Sequence, residues 1–363
     1  MPRQATPPRP AGAAAPTLAE RVLHWQRHQG RHHLPWQGTR DPYRVWLSEV
    51  MLQQTQVATV IGYYARFLDR FPTVQALAAA PLDEVLALWS GLGYYSRARN
   101  LHRAAQAVVA EHGGRFPATA AALQALPGIG RSTAAAIAAF CHGERVAILD
   151  GNVKRVLARA MGFDGDLSRA PETARLWALA ESLLPAQGIE AYTQGLMDLG
   201  AGVCLARKPR CEACPLSDTC VARADGLAEA YPRKTRRVRR GRKASTWLWL
   251  QSGNRLWLVQ RPDHGVWAGL WSLPEYDSVE AARHDLADLP GQPAPRPAFV
   301  HVLTHLDWTL QPLHWPLPAR TGSALDRRLS ARWPQGRWLP LNEALALGIP
   351  TPLRRLLGQA LEG

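Results

Sequence analysis

A cluster of four cysteines restricts what this chain can fold into more than any other feature of the sequence. Cys204, Cys211, Cys214 and Cys220 follow the spacing C-x6-C-x2-C-x5-C, and they are four of the five cysteines in the chain. Four thiolates this close in sequence can converge on one soft metal centre. The spacing therefore predicts a loop that is held by a metal ion or a metal cluster.

Length and charge indicate the class of protein. The 363 residues carry a net charge of +14, and a chain of this length usually divides into two domains. A strongly basic chain favours a polyanionic partner, because neutralising phosphates releases counterions. Arginines on solvated faces are the alternative explanation, and charge alone does not decide. The metal loop and the basic charge together favour a nucleic-acid partner.

The N-terminus and the hydropathy pattern argue against export and against a membrane. Residues 1–16 are rich in Pro and Ala and lack the apolar core of a signal peptide, so we expect a disordered tail. No apolar run is long enough to span a bilayer. We expect a cytoplasmic protein associated with the bacterial nucleoid. Its thiols stay reduced there, which favours metal binding over disulfides.

The chain divides into three stretches of different composition. Residues 17–225 have apolar residues at helical spacing. Residues 226–243 form a predicted linker, in which eight of the eleven residues at 233–243 are Lys or Arg. We expect this basic part to lie against phosphate, although a solvated linker has the same composition. Residues 244–363 have short β-type runs and nine of the fourteen Trp residues, which predicts a separate α+β domain with a final helix.

A glycine-containing turn joins two predicted helices in ALQALPGIGRSTAAAIAAF. Gly128 and Gly130 are expected to allow a tight turn with positive φ and no Cβ in the way. Backbone N–H groups then point outward at a helix N-terminus, where a DNA phosphate can bind, and Ser132 adds a hydroxyl donor. An ordinary turn between two helices is the alternative. Further on, Asp150 precedes a basic helix, where its simplest role is that of an N-cap.

These motifs together carry a specific resemblance. LPGIGR, LDGNVKRVLAR and the cysteine spacing resemble the helix-hairpin-helix DNA glycosylases of the endonuclease III type. WLSEVMLQQTQVATV and GLGYYSRARNL resemble the adenine DNA glycosylases among them. The resemblance implies a multi-domain fold: an all-α helix-hairpin-helix domain with a six-helix barrel and an iron–sulfur loop at 204–220, plus an α+β Nudix-like C-terminal domain. It also implies a monomer that acts in base excision repair on double-stranded DNA, removing adenine mispaired with 8-oxoguanine or guanine.

Two carboxylates suit that chemistry. Adenine is a poor leaving group unless it is protonated, and its departure creates an oxocarbenium-like sugar, so an acid is needed near the base and an anion near the sugar. Glu49 lies in an apolar helical stretch where burial would raise its pKa, although an exposed helix face is the alternative. The resemblance implies that Glu49 protonates adenine and helps to activate water. It implies that Asp150 stabilises the cationic sugar and that Asn152 assists electrostatically.

The hairpin indicates base removal without strand cleavage. Members of the superfamily that cleave the strand carry a lysine in the second helix of the hairpin, and its amine attacks the sugar. This chain has Ser132 at the matching place, and Gly151-Asn152 follows Asp150 where those members have a different pair. Both departures favour a monofunctional glycosylase. Some relatives carry a tyrosine at the place of Ser132, so we expect no tyrosine contribution to catalysis here.

The resemblance also places residues that contact DNA and the extruded base. A base must leave the stack before it can react, and another group fills the gap. Gln54 and Tyr94 match the wedge positions of the family, where a planar amide or a ring inserts between bases. Packing beside the neighbouring tyrosine is the alternative role for Tyr94. Gln194 and Trp36 match positions in the pocket for adenine.

The cysteine loop resembles a [4Fe–4S] site more than a zinc site. Four thiolates can also hold Zn²⁺, but the gaps of six and five residues differ from the paired C-x2-C knuckles of a zinc ribbon. Arg207, Lys208 and Arg210 stand between the first two ligands, where a rigid loop would hold them against the DNA backbone. Cys141, the remaining cysteine, follows an apolar helix end and is expected to pack in the core.

The last third resembles a Nudix domain without its hydrolytic residues. The glutamate-rich helix that binds Mg²⁺ in those hydrolases has no counterpart after Pro274, so we expect a binding domain rather than a hydrolase. In the adenine glycosylases this domain senses 8-oxoguanine through a loop centred on Phe-Ser-His. The matching residues here are Leu303, Thr304 and His305, which keep the hydroxyl and the imidazole and lose the aromatic ring.

Two alternatives remain at this stage. A bifunctional pyrimidine glycosylase and lyase belongs to the same superfamily, and Ser132 and the C-terminal domain argue against it. A non-catalytic iron–sulfur DNA-binding protein, such as a redox sensor, belongs to another class. Such a protein would need neither Glu49 nor Asp150.

Overall fold

The computed structural model describes residues 15–235, 240–319 and 322–362. Most of the expected N-terminal tail (1–14) and residues 236–239 of the basic linker lie outside the described residues. By contact density the chain forms two compact units. The first comprises residues up to 46, 117–125 and 129–235. The second comprises residues 47–116, 126–128 and the described residues from 240 onward.

The first part of the chain is helical, as its apolar spacing predicts. Twelve α-helices are assigned among the described residues before 236. They are α1 Leu18–Gln29, α2 Pro42–Leu52, α3 Val57–Arg70, α4 Val74–Ala79, α5 Leu82–Trp89, α6 Ser96–His112, α7 Ala120–Gln124, α8 Arg131–His142, α9 Gly151–Ala160, α10 Ala170–Ser182, α11 Ile189–Asp198 and α12 Val221–Ala224. A short π-helical turn, Leu199–Val203, follows α11 directly and leads into the cysteine loop.

Polar side chains define where several helices begin. Thr17 caps α1 in a reciprocal capping box: its Oγ1 accepts from the Glu20 amide at 3.2 Å, and the Glu20 carboxylate accepts from the Thr17 amide at 2.7 Å. Thr73 and Thr119 cap α4 and α7 by accepting one backbone amide each, without a reciprocal partner, and Asp150 likewise caps α9. Each cap satisfies an amide that has no partner inside its helix.

Each unit has its own helical core. In the first unit, α8 contributes buried alanines with small side chains to a core that it shares with residues of α1, α9, α10 and α11. In the second unit the core contains aromatic rings. Phe67 packs edge-on against Phe71 and Trp89, at centroid distances of 5.0 and 6.1 Å.

The C-terminal part is the predicted α+β domain. Its strands are β1 Gly241–Ser252, β2 Arg255–Gln260, β3 Trp271–Ser272, β4 Glu275–Tyr276, β5 Ala294–Pro295, β6 Phe299–Val302, β7 Leu306–Leu317 and β8 Gly336–Pro340. Its helices are α13 Val279–Asp285, α14 Ser323–Arg332, α15 Leu341–Ala346 and α16 Thr351–Glu362. The expected final helix is thus present, and the expected order of helical and α+β parts is confirmed.

The sheet is mixed, and β1 lies at its centre. The order is β3-β2-β1-β7-β5; β4 also pairs with β1, β6 with β7 and β8 with β2. β1 and β7 run parallel over twelve residues, from Gly241 opposite Leu306 to Ser252 opposite Leu317, and the other pairings are antiparallel. Residues 245–250 are all buried, which explains the unbroken apolar run TWLWL. None of the described helices is long and apolar enough to cross a membrane.

Candidate functional site

Asp150 occupies the N-cap of α9, where its Oδ1 accepts a hydrogen bond from the Val153 amide at 2.7 Å. The side chain is half-buried. Burial raises the pKa of Asp150 above its usual range, although backbone hydrogen bonds and the nearby Lys154 and Arg155 act in the opposite direction. A carboxylate in this position is oriented by the helix end and only weakly solvated. Its negative charge is therefore strongly felt by any cation that forms beside it.

The next residues on α9 connect this helix end to the cysteine loop. Asn152 Oδ1 accepts from Arg155 Nη2 at 2.9 Å. The same guanidinium donates through Nε to the Cys204 carbonyl at 2.7 Å and through Nη2 to the Gly200 carbonyl at 2.6 Å. Arg155 therefore holds both Asn152 and the start of the loop. Asn152 was predicted from sequence, whereas the arginine that orients it was not.

The four cysteines form a set of thiols that fits a sulfur-ligated cluster. All four are partly buried. Arg159 Nη1 lies 3.3 Å from the Cys204 Sγ. Burial, with repulsion from the other three cysteines, raises the pKa of Cys214 to about 11. Thiols that repel one another in this way need a multivalent cationic centre to become thiolates together.

The donor set of this loop consists of sulfur alone. Among the described ranges, no three or more His, Cys, Asp and Glu side chains are arranged around a single metal-ion position. In a [4Fe–4S] cluster each thiolate binds a different iron atom, so the four sulfurs need not meet at one point as ligands of Zn²⁺ must. Cys204, Cys211, Cys214 and Cys220 are the residues that would hold the cluster.

The loop presents the three predicted cations to solvent. Arg207, Lys208 and Arg210 are all exposed. Lys208 has a positive φ of 48°, and its amide donates to Glu229 at 2.8 Å. The Arg210 amide donates to the Val203 carbonyl at 2.9 Å. The backbone of the loop is therefore fixed while its charged ends remain accessible to phosphate.

The two glycines of the hairpin turn differ in their reason for being glycine. Gly128 has φ +74°, and a Cβ there would lie 2.5 Å from the Asn100 Cβ, so only glycine fits. Gly130 caps α8 with φ −82°, and nothing lies within 4 Å of a Cβ built on it. The expectation of a positive φ is therefore wrong for Gly130, because the left-handed residue of this turn is Gly128.

Ser132 lies one residue inside α8, and its hydroxyl has an intramolecular partner. Its Oγ accepts from the Leu149 amide at 3.0 Å. Leu149 directly precedes Asp150, so this bond fixes the backbone that enters the N-cap of α9. The sequence predicted a contact of Ser132 with DNA and gave no sign of this internal bond.

Glu49 lies on α2 in the second unit. It is half-buried between Ser48 and Val50, which are both almost fully buried. Trp46, about one turn before it, and Met51, two residues after it, are also buried. The partial burial expected from the apolar sequence is present, and Glu49 is more exposed than the residues on either side of it.

The two candidate wedge residues both have strained backbones. Gln54 has φ +56° and Tyr94 has φ +48°, in the left-handed region that side chains other than glycine rarely adopt. Gln54 follows the end of α2, and Tyr94 precedes α6. Tyr94 is 44% exposed, and its hydroxyl shares a hydrogen bond of 2.7 Å with Thr304 Oγ1.

Thr304 and His305 lie at the exposed turn between β6 and β7. The Leu303 amide donates to the Leu306 carbonyl at 2.8 Å, and Arg240 donates to the Leu303 carbonyl at 3.0 Å. The turn is therefore held by its backbone. The structure brings Thr304 together with Tyr94, a pairing that the sequence did not predict.

Gln194 is oriented by a buried acid that the sequence analysis missed. Asp198 is 2% exposed, and its Oδ1 accepts from Gln194 Nε2 at 2.8 Å and from Arg31 Nε at 2.7 Å. A lone acid in the apolar stretch GLMDLG was the available signal. Trp36, the other predicted pocket residue, is buried in the same unit. Cys141 is buried as expected.

Comparison with known families and proteins agrees with this geometry. Residues 47–182 match the HhH-GPD superfamily of base excision DNA repair proteins, residues 204–220 match the iron–sulfur binding domain of endonuclease III, and residues 246–359 match the NUDIX domain. Each match falls on the part of the chain where the structure places the corresponding feature.

Relatives match over nearly the whole chain. Adenine DNA glycosylase of Buchnera aphidicola subsp. Acyrthosiphon pisum is 34% identical, over 94% of this chain and 96% of its own length. Adenine DNA glycosylase of Homo sapiens is 34% identical, over 92% of this chain and 72% of its own. Among solved structures, a thermostable thymine-DNA glycosylase is 31% identical with a TM-score of 0.52, over 57% of this chain and 95% of its own. The chain therefore belongs to the adenine DNA glycosylase family, and it is a DNA N-glycosylase with a [4Fe–4S] cluster and a Nudix-like C-terminal domain.

Proposed function

We propose that this glycosylase removes adenine mispaired with 8-oxoguanine or guanine in double-stranded DNA, acts as a monomer, and leaves the strand uncut. The observation that carries the proposal is Asp150, a weakly solvated carboxylate held by a helix N-terminus and followed by Asn152. This is the anion that an oxocarbenium-like sugar requires. Family membership supplies the substrate base, and the two carboxylates supply the chemistry.

Glu49 is the proposed acid. Loss of adenine requires a proton on the ring, and a half-buried glutamate beside apolar residues is suited to hold one. The same carboxylate then accepts a proton from the attacking water. Proton transfer of this kind contributes about 10²–10⁴-fold to the rate.

Asp150 and Asn152 act on the sugar side. Asp150 stabilises the positive charge at C1′ as the glycosidic bond breaks. Because the amide oxygen of Asn152 accepts from Arg155, its NH2 group is the end that can donate towards the reacting centre. Arg155 thereby sets which face of the amide is presented.

The adenine pocket includes Gln194 and Trp36. Asp198 accepts from the Gln194 NH2 group, so the amide oxygen is the end that can accept from the exocyclic amine of adenine. A base without that amine would leave the acceptor unpaired, which is costly in a closed pocket. Trp36 provides an apolar wall.

Four sets of residues are proposed to contact DNA. The hairpin at Gly128 and Gly130, with Ser132, binds a phosphate, and the cations of the cluster loop bind others. Gln54 and Tyr94 fill the space left by the extruded base. Thr304 and His305 read the 8-oxoguanine that faces the adenine. The cluster supplies structure to this interface: it ties the loop that carries the cations.

The decisive test is incubation with an 8-oxoguanine:adenine duplex, with and without alkali. We expect strand breaks only after alkali, since base removal leaves an intact abasic strand. Breaks without alkali would identify a lyase, and no breaks in either case would identify a binding protein. Glu49→Gln should abolish excision while the duplex is still bound. An active Glu49→Gln enzyme would contradict the assignment of the acid.

A further inference from the structure

Arg97, in the first turn of α6, is a buried cation with unusual partners. It is 8% exposed. Its Nη1 donates to the carbonyls of Val50 and Met51, at 2.9 Å each, near the end of α2. Its Nη2 donates to Thr55 Oγ1 at 3.1 Å. All three acceptors flank or precede the turn that contains Gln54.

The same guanidinium binds a second turn. Nη2 also donates to the carbonyls of Leu92 and Gly93, at 3.1 and 3.3 Å. Gly93 directly precedes Tyr94. The guanidinium carbon lies 5.6 Å from the centroid of the Tyr94 ring and 5.3 Å from that of Trp89. One side chain therefore holds the turns on which both candidate wedge residues stand.

Every one of these partners is uncharged. Burying the guanidinium among them therefore destabilises the fold more than an ion pair in the same place would. Removing a guanidinium from water without a carboxylate partner is unfavourable. Burial lowers the pKa of Arg97 to about 10, so the group is still cationic at neutral pH. Its Nε has no acceptor among the described residues. The side chain is thus committed to the two turns through its terminal nitrogens alone.

The backbone of the two turns is also strained at Gln54 and Tyr94, the proposed wedge residues. Gln54 and Tyr94 are two of only four residues other than glycine with positive φ in the described parts of the chain. Such backbones persist where surrounding contacts fix them. Arg97 contacts a residue next to each strained backbone: Thr55, which follows Gln54, and Gly93, which precedes Tyr94.

We propose that Arg97 is a positioning residue that holds the Gln54 and Tyr94 turns in register with each other before DNA binds. The proposal rests on the proposed function, since it takes both residues as the wedge that replaces the extruded base. Two wedges tied to one rigid fork enter the duplex together. The conformational entropy of the two turns is then lost when the protein folds and not when it binds DNA.

Lysine is the informative substitution. Arg97→Lys keeps the charge, but an ammonium group is a single point of donation and cannot serve two turns as a planar fork does. Arg103→Lys is the matched control, because Arg103 is an exposed arginine on the same helix. With 2-aminopurine beside the target adenine, which itself faces 8-oxoguanine, Arg97→Lys should lose most of the fluorescence rise that reports extrusion. Single-turnover excision of adenine should fall by about 10–100-fold, and the control should match the wild type.

A mutant cycle separates positioning from a general structural role. In a Gln54→Ala, Tyr94→Ala background the wedge is gone, so adding Arg97→Lys should change excision no further. An additive loss in that background would overturn the inference. If Gln54→Ala and Tyr94→Ala leave extrusion intact, the wedge assignment of the proposed function is wrong and the inference falls with it. If they abolish extrusion while Arg97→Lys keeps it, only the inference is overturned.

A second variant covers the case in which Arg97→Lys does not fold, as judged by helical circular dichroism and iron–sulfur absorbance. Thr55→Val removes one acceptor of the guanidinium and leaves the other four. It should give a smaller loss of the same extrusion signal, and amide exchange should rise in both turns, at 52–56 and 91–95. An unchanged signal in Thr55→Val would count against the inference.

Discussion

Helices α9 and α6 each hold neighbouring loops in place, but only the loop at α9 carries the ligands of the cluster. Both carry arginines that hold loops by donating to their carbonyl oxygens. On α9, Arg155 and Arg159 bind the segment around Cys204, and Arg159 also lies on the thiol itself. On α6, Arg97 binds two turns made of ordinary residues. The end of α9 that carries Asp150 is therefore tied to the cysteine loop, which the cluster would hold, whereas the turns of Gln54 and Tyr94 are held by Arg97.

The largest expected effect is at the start of α9. Asp150→Asn should lower excision by about 10²–10³-fold or more, because the anion beside the sugar is lost. Asparagine is still a good N-cap, so the helix should remain. Single-turnover assays measure the rate, and duplex titration should show retained binding. Full activity in this variant would remove Asp150 from the mechanism.

The same variant has a stability consequence with a definite sign. Because burial raises the pKa of Asp150 in the folded state, the folded protein holds that proton more tightly than the unfolded chain. The ionised carboxylate therefore costs stability above this pKa, and the cost disappears as the pH falls below it. At neutral pH, Asp150→Asn should have a Tm equal to or above that of the wild type, with a difference that shrinks towards acid pH. A clearly lower Tm at neutral pH would contradict this account.

Removing the cluster should affect the loop at α9 and leave the turns at α6 unchanged, which makes it the most direct test of the difference between the two helices. Without iron, the Cys204 segment loses its anchor, so we expect faster amide exchange over residues 199–210 and in the first turn of α9. Binding to duplex DNA should weaken by about tenfold or more, since the exposed cations of the loop lose their fixed positions. Exchange at 52–56 and 91–95 should not change. Equal acceleration in all four segments would show that both helices depend on the cofactor.

A substitution with a smaller expected effect tests the Tyr94 turn, which precedes α6. Thr304→Val removes the hydroxyl that shares a hydrogen bond with Tyr94 and keeps the shape of the side chain. We expect the preference for 8-oxoguanine:adenine over guanine:adenine to fall by about five- to tenfold, the worth of one hydrogen bond of about 1 kcal/mol. Paired single-turnover measurements on the two duplexes give this ratio. Cluster absorbance should be unaffected, and an unchanged ratio would remove Thr304 from base recognition.

The same comparison explains what the sequence could and could not predict. Helical spacing, the cysteine spacing and the α+β composition are local patterns, and they predicted the fold class and the cluster. The arginines that hold these loops were not predictable, because Arg97 and Arg155 bind backbone carbonyls that any residue can offer. Asp198 was visible only as an isolated acid in an apolar stretch. The parallel pairing of β1 with β7 joins strands distant in sequence, which no local pattern encodes.

The smallest expected effect concerns the backbone that leads into α9. Ser132→Ala removes the acceptor of the Leu149 amide, and a lost hydrogen bond of this kind costs about 1 kcal/mol. For a domain of about 150–250 residues that corresponds to a fall in Tm of about 2–4 °C. Excision should fall only slightly, since Asp150 is still held by the Val153 amide. Ser132→Thr, which keeps the hydroxyl, is the matched control and should retain the wild-type Tm. If Ser132→Ala instead left the Tm unchanged, the hydroxyl would serve only the proposed phosphate contact and not the entry to α9.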